Sequence, residues 1–167
     1  LQKWEERDKN TLFLWKLMTD WAIEGQKEKY KKFGIKHDVT FYESKIYKSG
    51  KEIILDGVKK RLFEKTPNGE VKINLEKEGL GEKVLLRQDG TALYIVQDIA
   101  LAKIKFDRYG LDKSLYVVGS EQEYHFKVLF KVLEKLGVNA KNKEIKHISH
   151  GLVNLPHGRM KSREGTV

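Results

Sequence analysis

The feature that most constrains the fold is a strand–helix–strand pattern in the last third of the chain. SLYVVG (114–119) is a short run of mostly apolar residues, typical of a buried strand. EQEYHFKVLFKVLEKL (121–136) repeats apolar residues at helical spacing, and Gly137 favours a helix end. HISHGLV (147–153) predicts a second strand. Because strands joined through a helix run parallel, this order predicts an α/β fold with a parallel sheet.

The residues before this unit predict two helices and a strand. Residues 9–33 place apolar side chains every three or four positions and stop before Gly34, which predicts one long helix. The β-branched and aromatic residues of DVTFYES (38–44) indicate a strand. KEIILDGVKKRLF (51–63) is predicted as a second helix with a glycine inside it.

An antiparallel ribbon and a third helix are predicted in the middle of the chain. EVKINL (70–75) and KVLLR (83–87) flank a glycine-rich turn, which favours their pairing as a ribbon. A helix should follow QDG, running from about Thr91 to Tyr109, because an apolar stripe begins there and Gly110 follows it.

Charge and cysteine content limit the function classes. The 167 residues include 33 Lys and Arg against 24 Asp and Glu, a net charge of +9. This charge suggests a polyanionic partner such as nucleic acid or a nucleotide, and a lysine-rich solvated surface explains it equally well. The absence of cysteine excludes disulfides, thiolate metal sites and a thiol nucleophile. The absence of cysteine also fits a reducing compartment, so we expect the protein to lie in the cytoplasm. No apolar run approaches the roughly 20 residues of a membrane span.

The carboxyl end of the 114–119 strand is a candidate ligand site, because ligands bind beyond this edge in open parallel sheets. Gly119 allows a close backbone approach, Gln122 offers an amide, and the following helix start offers free N–H groups. The alternative is a plain strand-to-helix turn in which Ser120 caps the helix, with Glu123 at capping-box spacing. Both interpretations can hold together.

Tyr94 and Asp98 are spaced i, i+4 on the helix after QDG, so both side chains fall on one helix face. An aromatic hydroxyl and a carboxylate one turn apart suit a cationic ligand, and a planar guanidinium would gain most. The alternative is that Asp98 is a surface carboxylate near Lys103 or Lys105.

The final residues, GRMKSREGTV, form a candidate anion-binding loop. Arg159, Lys161 and Arg163 alternate with Met160 and Ser162 between flanking glycines. Such a loop could close over a ligand and stabilise charge on transferring phosphates. A basic surface loop is the equally supported alternative.

The histidines do not predict a metal site. His147 and His150 are three residues apart on a predicted strand, where side chains alternate between faces, so their rings should not share one face. No HExxH motif accompanies them, and no common glycine-rich nucleotide or hydrolase motif occurs in the chain.

Four stretches resemble the catalytic domain of class I arginyl-tRNA synthetases of an archaeal or eukaryote-like kind, in order and at about the family's spacing. They are FGIKHDVTFYES (33–44), RQDGTALYIVQDIA (87–100), YVVGSEQEYHFKVLF (116–130) and HISHGLVNLPHGRMKSREGTV (147–167). The resemblance implies the second half of a Rossmann-like parallel sheet with an inserted antiparallel β-ribbon. The expected organisation is a leading helical segment (1–37), a strand and helix (38–66), the ribbon (67–90) and a βαβ part ending in a KMSKS-like loop (91–167).

The resemblance also implies an activity and its partners. The arginine carboxylate would attack the α-phosphate of ATP, supplied with Mg²⁺, to give arginyl-adenylate and pyrophosphate. The arginyl group would then pass to the terminal adenosine of tRNA(Arg), and the first step usually needs the tRNA to be bound. The intact enzyme is expected to be a monomer with no membrane partner.

Site residues carried over from the family fall into three groups. For arginine, Glu43 and Asp98 would pair with the guanidinium, Tyr94 would pack against it, and Gln122 would orient it. The ATP side would comprise Gly119, His125, His150, Gly151, Val153, Arg159 and Met160. In the loop, Arg159 stands at the first lysine of KMSKS and Ser162 at the second, so the catalytic group would comprise Lys161, Ser162 and Arg163.

The absence of one family motif leaves other functions open. No HIGH motif occurs in these residues, so we expect the chain alone to be inactive. A non-catalytic tRNA- or RNA-binding paralogue is the main alternative, and the net charge of +9 supports it. Another adenylate-forming nucleotidyltransferase is a third possibility, against which the set Tyr94, Asp98 and Gln122 argues because it suits a guanidinium.

Overall fold

The computed structural model describes residues 1–138, 143–152, 154–156 and 158–159. The chain divides into two compact units, Leu1–Lys45 and Ile46–Val167. The sequence prediction of an α/β fold with a parallel sheet and an antiparallel ribbon is confirmed. Within the part of the chain that the structure describes, no helix is long and apolar enough to cross a membrane.

The first unit is built on one long helix. After the short helix α1 (Gln2–Glu5), helix α2 (Lys9–Lys32) begins at Asp8, whose carboxylate accepts a hydrogen bond from the Thr11 amide at 2.8 Å. This N-cap satisfies one of the free donors of the first turn. The predicted long helix is therefore confirmed.

The strand predicted at residues 38–44 is wrong. Residues 38–42 form no regular element, and helix α3 (Glu43–Lys59) begins at Glu43. Val39, Thr40 and Phe41 favour a strand locally, but β propensity describes fitness for a pleated surface and does not create a pairing partner. These residues pair with no strand among the described residues.

Helix α3 also begins eight residues before the start of the helix predicted at 51–63. It ends four residues before the end of that predicted helix. Gly50 lies inside α3 and is a buried packing position. A Cβ on Gly50 would lie 2.9 Å from both the Cγ1 and the carbonyl oxygen of Val96. The missing side chain thus lets α3 approach the backbone at Val96 closely.

A three-stranded antiparallel sheet follows, formed by β1 (Glu64–Lys65), β2 (Val71–Leu75) and β3 (Gly81–Leu86). Every second residue of β2 is buried, which gives the sheet an apolar face. A 3-10 turn (Glu76–Glu78) links β2 to β3, and the predicted ribbon is confirmed.

The remaining elements are α4 (Tyr94–Tyr109), β4 (Lys113–Gly119), α5 (Glu123–Lys135) and β5 (Glu144–His150), followed by the short antiparallel pair β6 (Asn154–Leu155) and β7 (Gly158–Arg159). Strands β4 and β5 pair in parallel, as predicted. The strand predicted at 147–153 starts earlier and ends at His150, and Val153 lies outside the described residues.

Buried apolar side chains from α4 and α5 supply much of the core of the second unit. Val96, Ile99 and Ala100 of α4 are fully buried, as are Leu129 and Val132 of α5. The two helices contact each other, and α5 also contacts β5. This packing fixes the start of α5 beside α4.

We predict that Gly57→Ala destabilises the protein by about 1–3 kcal/mol, because overpacking a tight core forces displacement. A Cβ on Gly57 would overlap Cε2 of the buried Phe63. Denaturant unfolding of the 167-residue chain measures the change.

Gly25→Ala is the matched control. Gly25 lies inside α2, and a Cβ there would meet nothing within 4 Å. Helix propensity predicts that this substitution stabilises the protein by up to about 1 kcal/mol. Equal stabilities for the two variants would contradict the packing described at Gly57.

Candidate functional site

A hydrogen-bonded turn between β3 and α4 sets the first residue of the candidate site. Asp89 Oδ1 accepts hydrogen bonds from the Thr91 amide at 2.9 Å and from the Thr91 hydroxyl at 2.7 Å. Arg87 Nη1 donates to the same hydroxyl at 3.0 Å, and Gly90 adopts a φ of 75°. The turn therefore fixes where α4 begins, at Tyr94, three residues later than predicted.

Tyr94 and Asp98 occupy the first turns of α4, one turn apart on one face, as their spacing predicts. The Tyr94 side chain is 77% exposed, whereas the Asp98 side chain is 35% exposed. The aromatic ring is thus available to a ligand, and the carboxylate lies partly withdrawn from solvent beside it.

The Asp98 carboxylate has a direct partner on α5. Its Oδ2 accepts a hydrogen bond from Nε2 of His125 at 2.8 Å, and the His125 side chain is 28% exposed. An ionised carboxylate can only accept, so Nε2 of His125 carries the proton in this bond. The bond joins α4 to α5 at the end of the unit where Tyr94 lies.

The lysines considered as partners of Asp98 have other direct contacts. Lys103 pairs with Asp107 at 2.7 Å. Lys105 donates to the Ser114 hydroxyl at 3.0 Å, and its ammonium lies 4.0 Å from the centre of the Tyr116 ring. Burial lowers the pKa of Lys105, and attraction to Asp98 opposes that shift. His125, rather than a lysine, is therefore the hydrogen-bond partner of Asp98.

The parallel pairing of β4 and β5 brings two predicted residues to one sheet edge. Gly119 and His150 are register partners, each the last residue of its strand. Gly119 is buried, while His150 and Gly151 are exposed. The His150 Nδ1 donates to the Gly151 carbonyl at 2.9 Å. This edge is the place where open parallel sheets bind ligands.

Gln122 follows Gly119 at this edge, with an exposed side chain at the N-cap position of α5. The alternative cap at Ser120 is wrong, because residues Ser120–Gln122 form a 3-10 turn and no side chain caps either the turn or α5. The insertion of this turn moves the helix start past Ser120. Amide groups at the start of α5 are left without a side-chain cap.

His147 has different contacts from His150. Its Nε2 donates to the Val118 carbonyl at 3.0 Å, and its ring stacks on Phe126 at 4.5 Å between centres. Within the described ranges, no group of three or more His, Cys, Asp or Glu side chains could hold a metal ion.

The remaining predicted site residues lie in other elements or outside the described residues. Glu43 is the first residue of α3, belongs to the first unit and is exposed. Arg159 is the last residue of β7. The predictions for Val153, Met160, Lys161, Ser162 and Arg163 lie outside the described residues.

Sequence reasoning missed the bond between Asp98 and His125 and the contacts of Lys105 with Ser114 and Tyr116. The first pair is 27 residues apart and on different helices. No spacing rule connects such positions. Only the packing of α4 against α5 brings them together.

Comparisons with known proteins identify the family of the chain. The family profile described as tRNA synthetases class I (R), catalytic domain, matches residues 1–167. The Arginine--tRNA ligases of Parabacteroides distasonis and Bacteroides thetaiotaomicron are each 48% identical to the chain over 167 residues. These matches cover 100% of the chain and 28% of each relative, so the chain spans little more than a quarter of their length.

A solved structure supports the same fold. The crystal structure of arginyl-tRNA synthetase from Plasmodium falciparum superposes with a TM-score of 0.74 at 20% sequence identity. The match covers 90% of the chain and 26% of that structure. The family profile and the sequence matches along all 167 residues lead to one conclusion: the chain belongs to the family of class I arginyl-tRNA synthetase catalytic domains.

Proposed function

We propose that this chain is the part of an arginine–tRNA ligase that holds L-arginine and closes over ATP. The observation that carries the proposal is 48% identity to an Arginine--tRNA ligase along all 167 residues. Because the chain spans 28% of that relative, the activity is proposed for the full-length protein and not for these residues alone.

The proposed reaction has two steps. A carboxylate oxygen of arginine attacks the α-phosphorus of ATP, which enters as its Mg²⁺ complex, and the bond to pyrophosphate breaks. A ribose hydroxyl of the terminal adenosine of tRNA(Arg) then attacks the arginyl carbonyl, and AMP leaves. The residues of this chain are proposed to position the reactants and to stabilise developing charge in both steps.

In the proposed arginine pocket, Asp98 pairs with the guanidinium, Tyr94 packs against it and Gln122 orients the ligand. The exposed ring of Tyr94, the partly buried carboxylate of Asp98 on the same helix face and the exposed amide at the start of α5 support these roles. A guanidinium matches a carboxylate through two parallel hydrogen bonds. Glu43, in the first unit, is proposed as a second carboxylate on the resemblance to the family alone.

The proposed ATP site uses the carboxyl edge of β4 and β5. The register pair Gly119 and His150, and the exposed Gly151 after it, support a nucleotide at this edge. His125, Val153, Arg159 and Met160 are proposed for the same site from the family resemblance. Lys161, Ser162 and Arg163 are proposed to contact the phosphates, where cations stabilise developing charge.

Finer assignments are also part of the proposal. We assign the full-length protein to the cytoplasm, supported by a chain without cysteine, and propose that it is a monomer. We also propose the archaeal or eukaryote-like subtype, which is supported only by the four sequence stretches quoted above. The two sequence relatives named above are bacterial and do not support it.

The net charge of +9 favours a second candidate, a non-catalytic RNA-binding protein. Such a protein would bind tRNA with a strong salt dependence and without specificity for arginine. Arginine-dependent formation of ATP from pyrophosphate and adenylate separates the two candidates, because only the ligase carries out this exchange.

We predict that Asp98→Ala in the full-length protein lowers kcat/KM for arginine about 100-fold or more in ATP–pyrophosphate exchange with tRNA(Arg). The loss follows because removing one partner of a desolvated charge pair leaves the other charge uncompensated. Asp107→Ala is the matched control, since Asp107 lies on the same helix in an exposed pair with Lys103 and should change kcat/KM less than twofold. An unchanged KM and kcat in Asp98→Ala would refute the pocket.

We predict that Lys161→Ala or Arg163→Ala lowers kcat for the exchange about 10²- to 10³-fold while leaving KM for arginine within a few-fold, because the lost charge acts on the phosphates. Steady-state kinetics with varied ATP and varied arginine measure both effects. The control is Lys127→Ala, which removes an exposed cation paired with Glu123 at 2.9 Å and should have no effect. Full activity in both loop variants would contradict the phosphate assignment.

A further inference from the structure

The hydrogen bond between Asp98 and His125 determines how the Asp98 carboxylate is presented. Its length is 2.8 Å, and both side chains are about two-thirds buried, so the bond is partly shielded from competing water. The donor lies on α5 and the acceptor on α4, two helices held by fully buried side chains such as Ile99 and Leu129. The donor is therefore held by the packing of the core.

The bond engages only one oxygen of the carboxylate. His125 binds Oδ2, and no second hydrogen bond or ion pair of Asp98 occurs among the described residues. An aspartate has two side-chain torsions, so fixing one oxygen restricts the plane of the whole carboxylate. Oδ1 and the second lone pair of Oδ2 remain for a ligand.

The orientation of this plane matters for a guanidinium in particular. Two parallel N–H···O bonds require the carboxylate and the guanidinium to be nearly coplanar. If the carboxylate could rotate freely, ligand binding would also have to order it. The conformational entropy lost in that step would weaken the affinity for the guanidinium. The Lys105 ammonium donates to the Ser114 hydroxyl, and no hydrogen bond from it to Asp98 occurs among the described residues.

We propose that His125 is a positioning residue for arginine: its Nε2–H holds the Asp98 carboxylate in the plane that a guanidinium needs. This inference rests on the proposed function, since it assumes that Asp98 binds arginine. It assigns His125 an effect on the amino acid, distinct from the contact with adenosine that the family resemblance suggests.

The test compares His125→Ala with His125→Gln in the full-length protein. Gln is the matched variant because its Nε2 amide can donate at nearly the position of the histidine Nε2. We expect His125→Ala to raise KM for arginine about tenfold, in addition to any rise in KM for ATP that follows from loss of the proposed ATP contact. His125→Gln should restore KM for arginine to within about threefold of the starting protein.

A coupled variant separates positioning from a general structural role. In an Asp98→Asn background the carboxylate is absent, so adding His125→Ala should raise KM for arginine less than twofold. A full tenfold effect in that background would overturn the proposal. So would a rise confined to KM for ATP, or a His125→Gln variant as impaired as His125→Ala.

Failure of the proposed function gives a different result. If Asp98→Ala leaves arginine kinetics unchanged, the arginine pocket itself is wrong. If Asp98→Ala impairs arginine use and His125→Ala does not, the pocket stands and only the positioning role of His125 is overturned.

Discussion

The parallel pairing of β4 with β5, bridged by α5, is the constraint on which the candidate site depends. The register places Gly119 beside His150 at one sheet edge, and the bridging helix starts at the same edge. Because α5 also packs against α4, the first turn of α5 places Nε2 of His125 2.8 Å from Oδ2 of Asp98. In the proposed function, a nucleotide at the sheet edge and arginine at the start of α4 would thus share one side of the unit.

The elements with strong local periodicity could be predicted from the sequence. The long helix α2, the ribbon of β2 and β3, and the β4–α5–β5 unit each follow from apolar spacing and glycine stops. Tyr94 and Asp98 share a face because both lie on one helix, which spacing alone establishes. Their predicted relation therefore did not depend on the rest of the fold.

Errors arose where tertiary contacts override local preference. Val39 and Phe41 favour a strand but have no strand to pair with in the described structure. The predicted helix starts after Gly50, yet α3 continues through Gly50, where a Cβ would lie 2.9 Å from Val96 Cγ1. The bond between Asp98 and His125 spans 27 residues, so it becomes visible only once α4 and α5 are packed together.

The most direct test of the central claim is amino-acid-dependent ATP–pyrophosphate exchange by the full-length protein in the presence of tRNA(Arg). We predict exchange with L-arginine and none above background with any other standard amino acid. Salt-dependent tRNA binding with no exchange for any amino acid would contradict the claim, and so would equal exchange with lysine.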